Sequence, residues 1–325
     1  MKDSIEEIFK KRIKFSGEIK DISTRICRKY SIGDFKSNKL ITTGYEDFNY
    51  ILETSKGVFF VKVFADFRTD ENCKEYIEVV KEAVKAGVST PRIISAVGEE
   101  FVIINIDDSK LRLVLMEFIK GETFYELNKN ITREEIKFLA KQAGIINSMN
   151  LKQRQLYDSW AIANFLKEFD EKSKYLSEED LELVRPLVQK FKNLNIERLP
   201  HCFVHGDIIS TNVIKAKNKL WIVDFSVSNY YPRIQELAIL AGDLLFDKED
   251  KKNSEENLKL ALKEYQEIVP LTQKEIEALP IYIELAYGMY ILSANYSKVV
   301  DNNQTPENEY WLNQGRIGLR QALED

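Results

Sequence analysis

The sequence is poor in the residues that staple, clip or anchor a chain. It has three cysteines in 325 residues, Cys27, Cys73 and Cys202, far apart and with no CxxC pair. That excludes a disulfide framework and a cysteine zinc site, and a reduced compartment, the cytoplasm, is expected. Its two histidines, His201 and His205, rule out a His-rich metal centre and leave few bases of that type. No apolar run reaches the ~18 residues of a membrane span; IYIELAYGMYIL is long but carries Glu284. The first residues, MKDSIEEIFKKRIKF, contain no apolar segment of the kind a secretory signal needs. No membrane attachment is expected. Nor does one charge dominate: 47 Lys and Arg face 52 Asp and Glu, a net −5. The two signs are interspersed, as in KEYIEVVKEAVK, which reads as a solvated helix face, so no nucleic-acid partner is expected. There is no internal repeat and no Pro- or Gly-rich linker.

What is present suffices for a sizeable core: 44% of residues are hydrophobic and 11% aromatic. At ~150 residues per domain the length suits two domains or one two-lobed unit. Residues 1 to about 30 read as short polar helices. KLITTGYEDFNYILET, a turn at Ser55-Lys56-Gly57, and VFFVKVF read as two strands in a hairpin. Thr69 to Gly87 has helical period, and PRIISAV, EFVIINI and LRLVLMEFI are three further β-rich runs. Residues 1–118 are therefore expected to form a β-rich lobe of about five strands and one main helix. Residues 119–325 read as mostly helical. Capping boxes stand at Thr132–Glu135 and Thr272–Glu275, and N-caps at Ser177 and at Thr305 before Pro306. Two short β-type runs, HCFVH and NVIKAKNKLWIVDF, interrupt the helices. The expected class is α+β, with the lobes joined near Phe118 to Gly121.

The strongest chemical signal is VHGDIISTNVIKAKNKLWIVDFS. Asn212 follows Asp207 by five residues, and Asp224-Phe225 begins twelve residues after Asn212. Phosphoryl transfer from a nucleotide needs a carboxylate for the attacking hydroxyl and oxygen ligands for a divalent cation on the phosphates. An Asp opening a tight loop and an Asn closing it can supply the base and one ligand; a short hairpin then returns a second Asp. Each residue alone reads as a turn or strand terminator; the spacing makes them a set. In the first lobe, Lys62 in FFVKVF alternates with apolar neighbours and is the candidate for the α/β-phosphates. Glu75, in preference to Glu78, is its candidate helix partner. Thr42-Thr43-Gly44 with Asn49 is a candidate phosphate-covering hairpin. Met116-Glu117-Phe118-Ile119 stands where a connector would offer backbone groups to an adenine edge.

These motifs resemble the aminoglycoside phosphotransferase/choline kinase superfamily, small-molecule relatives of protein kinases. The resemblance runs from about Leu40 to Phe246. HGDIISTN is similar to the family's catalytic loop, with Gly206 where protein kinases usually have Arg. IVDFS is similar to its metal-binding motif, and LVLMEFIKGETF to its hinge. TTGYEDFNYIL, the hairpin to VKVF and AVKAGVSTPRII resemble the homoserine-kinase-like branch. PRIQELAIL resembles the helix after the metal motif, with Glu236 where the family has Asp. The resemblance implies a bilobal kinase-like fold, ATP or GTP with Mg²⁺, and a small hydroxylated acceptor. By position, Asp207 becomes the base and Asn212 and Asp224 the metal ligands. Gly44, Lys62 and Glu75 serve the phosphates, and the Glu117 carbonyl and Ile119 amide the adenine edge. His205 is expected to brace the loop.

Two other readings stand beside an active small-molecule kinase: an inactive nucleotide-binding scaffold and an atypical protein kinase. The first is disfavoured by the presence of Lys62, Asp207, Asn212 and Asp224 together. The second is disfavoured by the seven residues from Ser226 to Pro232, too few for a peptide platform. The acceptor is not legible: amino-alcohols, homoserine-like amino acids, aminoglycosides and sugars all stay open, and so does the oligomeric state. Tyr230, Tyr231, Asp243, Asp247, Glu284 and Tyr287 are candidates for an acidic, aromatic acceptor pocket.

Overall fold

Apolar residues alternating along three neighbouring runs build the first sheet. The structure, a computed structural model, describes residues 5–323. The chain divides into two compact units, Met1–Glu122 with Ile214–Val223, and Thr123–Val213 with Asp224–Asp325. The hairpin that follows the Asp207–Asn212 loop thus belongs with the first unit.

In the first unit, elements are α1 (Ile5–Arg12), α2 (Ile19–Tyr30), β1 (Phe35–Leu40), β2 (Phe48–Thr54), β3 (Gly57–Val63), α3 (Asp70–Lys85), β4 (Ile93–Ile94), β5 (Val102–Ile106) and β6 (Ser109–Glu117). The strands form an antiparallel sheet in the order β1-β2-β3-β6-β4, with β5 also paired to β6. The sequence reading made one strand of Lys39–Thr54; the structure makes two, β1 and β2, separated by a loop over residues 41–47. Gly44, with φ +91°, turns the chain there, and the Ile41 amide bonded to the Asn49 carbonyl at 2.9 Å closes it. The sheet has six strands rather than about five.

Period-two alternation sorts the side chains. Tyr50, Leu52, Val61, Val63, Leu113 and Leu115 share a core with Ile22 and Ile26 of α2. Helix α2 buries Ile19, Ile22, Ser23, Ile26, Cys27 and Tyr30, a 3.6-residue stripe. Residues of the opposite parity include Lys62 and Met116, and α3 brings Tyr76 to both. Helix α3 starts at a capping box: Thr69 Oγ1 accepts from the Asn72 amide and Asn72 Oδ1 from the Thr69 amide. It stops at Gly87, φ +88°.

A short connection, β7 (Glu122–Thr123), leads to α4 (Phe124–Leu127), α5 (Arg133–Asn147), α6 (Phe165–Lys172), α7 (Glu178–Leu194) and β8 (His201–Val204). The hairpin is β9 (Val213–Ala216) and β10 (Lys219–Ile222); β11 (Asn229–Pro232), α8 (Ile234–Gly242), α9 (Lys251–Gln266), α10 (Gln273–Val300) and α11 (Pro306–Leu323) follow. Thr132, Ser177, Thr272 and Thr305 all act as caps, as their spacing indicates. Helix α8, IQELAILAG, is buried along its whole length, and α10 packs against α6, α7, α8 and α11. No helix among the described residues is long and apolar enough to cross a membrane.

Candidate active site

In the first unit Lys62 is fully buried on β3, paired with Val114 of β6 and Asn49 of β2. Its Nζ lies 2.8 Å from Asp47 Oδ2 and 5.5 Å from the centre of the Tyr76 ring. Asp47 was not singled out by the sequence reading. Its carboxylate also accepts from the Arg68 Nε at 3.0 Å and the Ala65 amide at 2.9 Å. Although burial acts to raise it, the charges of Arg68 and Lys62 hold the Asp47 carboxyl well below the usual range. Glu75 precedes Tyr76 on α3 and is half-buried, whereas Glu78 is exposed. The 41–47 loop is tied down by Arg12 of α1, which donates to the carbonyls of Gly44 at 3.0 Å and Asp47 at 3.3 Å. Glu117 ends β6 bonded to Arg92 through both amide and carboxylate. Ile119 lies two residues beyond, half-buried and outside regular structure.

Removing Asp47 would leave Lys62 and Arg68 buried without this counter-charge. Asp47→Ala is expected to cost about 3–5 kcal/mol of stability, the usual penalty for breaking a buried pair from one side. The stabilisation is complete above the unfolded pKa near ~3.9 and is lost as pH falls toward the lower folded value. Urea unfolding of wild type and variant at neutral pH checks this; a loss below about 1 kcal/mol would exclude the role.

In the second unit the loop after β8 carries the candidate base Asp207 and the candidate ligand Asn212. Gly206, at φ +77°, supplies a left-handed turn that swings Asp207 out of the strand line. Ile208 and Ile209 are buried and anchor the loop. Asn212 Nδ2 donates to Asp207 Oδ2 at 2.6 Å and to the Asp207 carbonyl at 3.1 Å. A carboxylate demands a donor there, so the amide nitrogen faces Asp207 and Oδ1 faces away as an acceptor. Asp224 stands at φ +67°, uncommon for a non-glycine residue, with Oδ1 accepting from the Ser226 amide at 3.1 Å. Burial first, then the charges of Asp224 and Asp158, push the Asp207 carboxyl well up, against the bond from Asn212. The repulsion between Asp207 and Asp224, beside the hard oxygens of Asp224 and Asn212, fits a divalent cation.

Supporting residues fix this loop. The amides of His205 and Gly206 donate to Glu236 at 2.6 and 3.3 Å, and Asn147 Nδ2 adds a third bond at 3.2 Å. The longer side chain at position 236 therefore reaches the loop. Burial pushes the Glu236 carboxyl up to about 7, while the three donated bonds act to lower it. His205 Nδ1 accepts from the Asp207 amide at 3.2 Å, and its ring packs on Phe225 at 4.4 Å. Arg154, unremarkable in sequence, donates from Nη1 to the carbonyls of Phe225 and Ser228 at 3.0 Å each, bracing the turn after Asp224. Asp243 accepts from the Ser210 amide and the Tyr310 hydroxyl, each at 2.5 Å. Tyr125 donates its amide to the Ser210 carbonyl and sets its ring edge-on to Tyr310.

Of the six candidate acceptor residues, Asp243 reaches the loop after β8, through the Ser210 amide. Tyr287 is buried against the rings of Phe246 and Tyr290. Glu284 pairs with Lys190, and Asp247 caps the turn into α9. Tyr230 stacks on His201, and Tyr231 pairs with Cys202 across β8 and β11. Tyr125, Tyr290 and Tyr310 were missed; the Tyr287–Tyr290 step of three on one helix was the available signal.

A family model described as a phosphotransferase enzyme family matches residues 37–268. A homoserine kinase of Parvibaculum lavamentivorans is 23% identical over 277 residues, covering 83% of each chain. Among solved structures, a microcompartment-associated aminopropanol kinase superposes with a TM-score of 0.70 at 12% identity, over 93% of this chain and 96% of its own. An amicoumacin kinase in complex with AMP-PNP and Ca²⁺ gives 0.67 at 16% identity, over 91% of this chain and 92% of its own. At these identities the structural likeness shows the fold.

Proposed function

The chain belongs to the phosphotransferase enzyme family, and from that premise we propose that it moves the γ-phosphoryl group of ATP to a hydroxyl of a small polar metabolite. The observation that carries the reading is the Asp207–Asn212 hydrogen bond, at 2.6 Å, in a loop whose base also feels the charge of Asp224. Asp207 orients the acceptor hydroxyl and takes its proton. Asn212 Oδ1 and Asp224 would hold Mg²⁺, which would supply neutralisation of phosphate charge. Lys62, kept in place by Asp47, contacts the α/β-phosphates, with Glu75 proposed as its helix partner. Gly44 lets loop amides approach them, and the Glu117 carbonyl and Ile119 amide take the adenine edge.

The test is product formation from Mg·ATP against a panel of amino-alcohols, homoserine, aminoglycosides and sugars, followed by mass spectrometry. A phosphorylated acceptor is expected, and Lys62→Ala is expected to lower kcat/KM for ATP about 10- to 100-fold, the worth of one charged hydrogen bond. No phosphorylated product across the panel would overturn the reading. An unchanged kcat/KM in the variant would remove Lys62 from it.

A further inference from the structure

Resting on the reading of Asp224 as a cation ligand, we infer that Arg154 is a positioning residue for that cation. Through a clasp with residues 225–229 it holds Asp224 in the backbone conformation that presents its carboxylate. Asp224 sits at φ +67°, where a non-glycine residue persists only if its surroundings impose the conformation. One constraint is local, the bond from the Ser226 amide to Asp224 Oδ1 at 3.1 Å. The other comes from about seventy residues earlier in the chain.

Residues 149–158 form neither helix nor strand, yet Arg154 within them is only 4% exposed. Its Nη1 lies 3.0, 3.4 and 3.0 Å from the carbonyl oxygens of Phe225, Ser226 and Ser228, and 3.2 Å from Ser228 Oγ. The buried Ser228 hydroxyl accepts from the guanidinium and donates to the Phe225 carbonyl at 2.7 Å. The grip is returned. Asn229, also buried, accepts at Oδ1 from the Arg154 amide at 2.7 Å. Its Nδ2 donates to the carbonyls of Arg154 and Leu156 at 3.2 and 3.1 Å. An irregular segment and the turn after Asp224 thus hold each other by side chain to backbone bonds in both directions.

Closing a turn does not require this. The Ser228 amide already reaches the Phe225 carbonyl at 3.3 Å, as in any tight turn. Burying a guanidinium is costly, and an apolar side chain could fill the same volume. What the planar fork adds is orientation. Each carbonyl belongs to a rigid peptide plane, so holding those of residues 225, 226 and 228 fixes the chain leaving Asp224. Without the clasp, Asp224 is free to relax to an ordinary negative φ, which turns its carboxylate elsewhere. Groups that orient a metal ligand set affinity nearly as much as the ligand itself. The loss therefore falls on the cation, and excess cation makes it good.

The experiment is calorimetric titration with ATP across a range of Mg²⁺, beside thermal unfolding. It compares wild type, Arg154→Met, Arg154→Lys, Ser228→Ala and Asp224→Asn. Arg154→Met is expected to raise the Mg²⁺ needed for half-maximal ATP binding about 10- to 100-fold. Ser228→Ala, which deletes the hydroxyl shared by the clasp, is expected to raise it about 2- to 10-fold. Arg154→Lys is expected to fall between wild type and Arg154→Met, since an ammonium restores charge but not the fork. Saturating Mg²⁺ is expected to return ATP affinity to the wild-type value in all three. Arg154→Lys and Ser228→Ala carry the test if Arg154→Met does not fold. If Asp224→Asn shifts the Mg²⁺ dependence and these variants do not, whatever their Tm, the clasp only stabilises the fold; the positioning role falls and the metal-ligand reading stands. If Asp224→Asn leaves the Mg²⁺ dependence of ATP binding unchanged, the metal-ligand reading itself falls.

Discussion

Asp207→Asn is expected to slow phosphoryl transfer by roughly 10²–10⁴-fold, the range for loss of a general base, with Mg·ATP affinity nearly unchanged. The substitution isolates chemistry from structure. An amide oxygen at position 207 can still accept the Asn212 bond, now 2.6 Å long, and the backbone bond from the 207 amide to His205 Nδ1 is untouched. What disappears is the basic carboxylate. Because burial and Asp224 already disfavour charge on Asp207, the variant is expected to fold at least as stably as wild type. Turnover of an identified acceptor, beside calorimetric titration with Mg·ATP, reads the two effects separately. Full activity in a folded variant would remove Asp207 from the mechanism. Lost nucleotide binding would instead make it part of the metal site.

The parts of this site legible in the sequence are those fixed by local spacing. Asp207 and Asn212 lie within one loop, so a five-residue step suffices to bring them together. The helix caps at Thr132, Ser177, Thr272 and Thr305 are local for the same reason. Parts that depend on register or on distant packing were not legible. Asp47 reaches Lys62 because β2 and β3 pair with Asn49 opposite Lys62, a register no single strand announces. The split of the first apparent strand turned on one glycine among residues that otherwise suit β structure. The hairpin β9–β10 joins the first unit through Ser89, whose hydroxyl donates to the Leu220 carbonyl at 2.6 Å and whose carbonyl accepts from the Ile222 amide at 2.7 Å. Nothing near either segment signals that pairing. Tyr125, Tyr290 and Tyr310 come from three helices spread over more than half the chain, and helical period alone reads each as core.

The loop after β8 also shows how a glutamate, where the family resemblance implies Asp, is accommodated. Glu236 is one methylene longer than the Asp that the family resemblance implies there, and its carboxylate meets both the His205 and Gly206 amides. Asn147 meets the same oxygen as His205, and its own carbonyl oxygen accepts from the Tyr265 hydroxyl at 2.6 Å. The fully satisfied network accommodates the extra methylene without leaving the loop amides unpaired.

Asp224→Asn is expected to weaken metal-dependent nucleotide binding as well as turnover, the latter by on the order of 10²-fold or more, because charge stabilisation worth several kcal/mol is lost. Asparagine is the informative replacement for a geometric reason. Position 224 sits at φ +67°, a region asparagine tolerates and alanine does not. Its side-chain oxygen can still accept from the Ser226 amide, as Asp224 Oδ1 does at 3.1 Å. The turn braced by Arg154 therefore persists, and the change is confined to one negative charge. A cation held by a neutral amide pair binds more weakly, so raised Mg²⁺ should recover part of the nucleotide affinity, which it cannot do for Asp207→Asn. Titration of both variants with ATP across a range of Mg²⁺, and after EDTA treatment, separates the two roles. If Asp224→Asn binds Mg·ATP as tightly as wild type at low Mg²⁺, Asp224 is not a metal ligand, and its left-handed backbone would be left without a functional account.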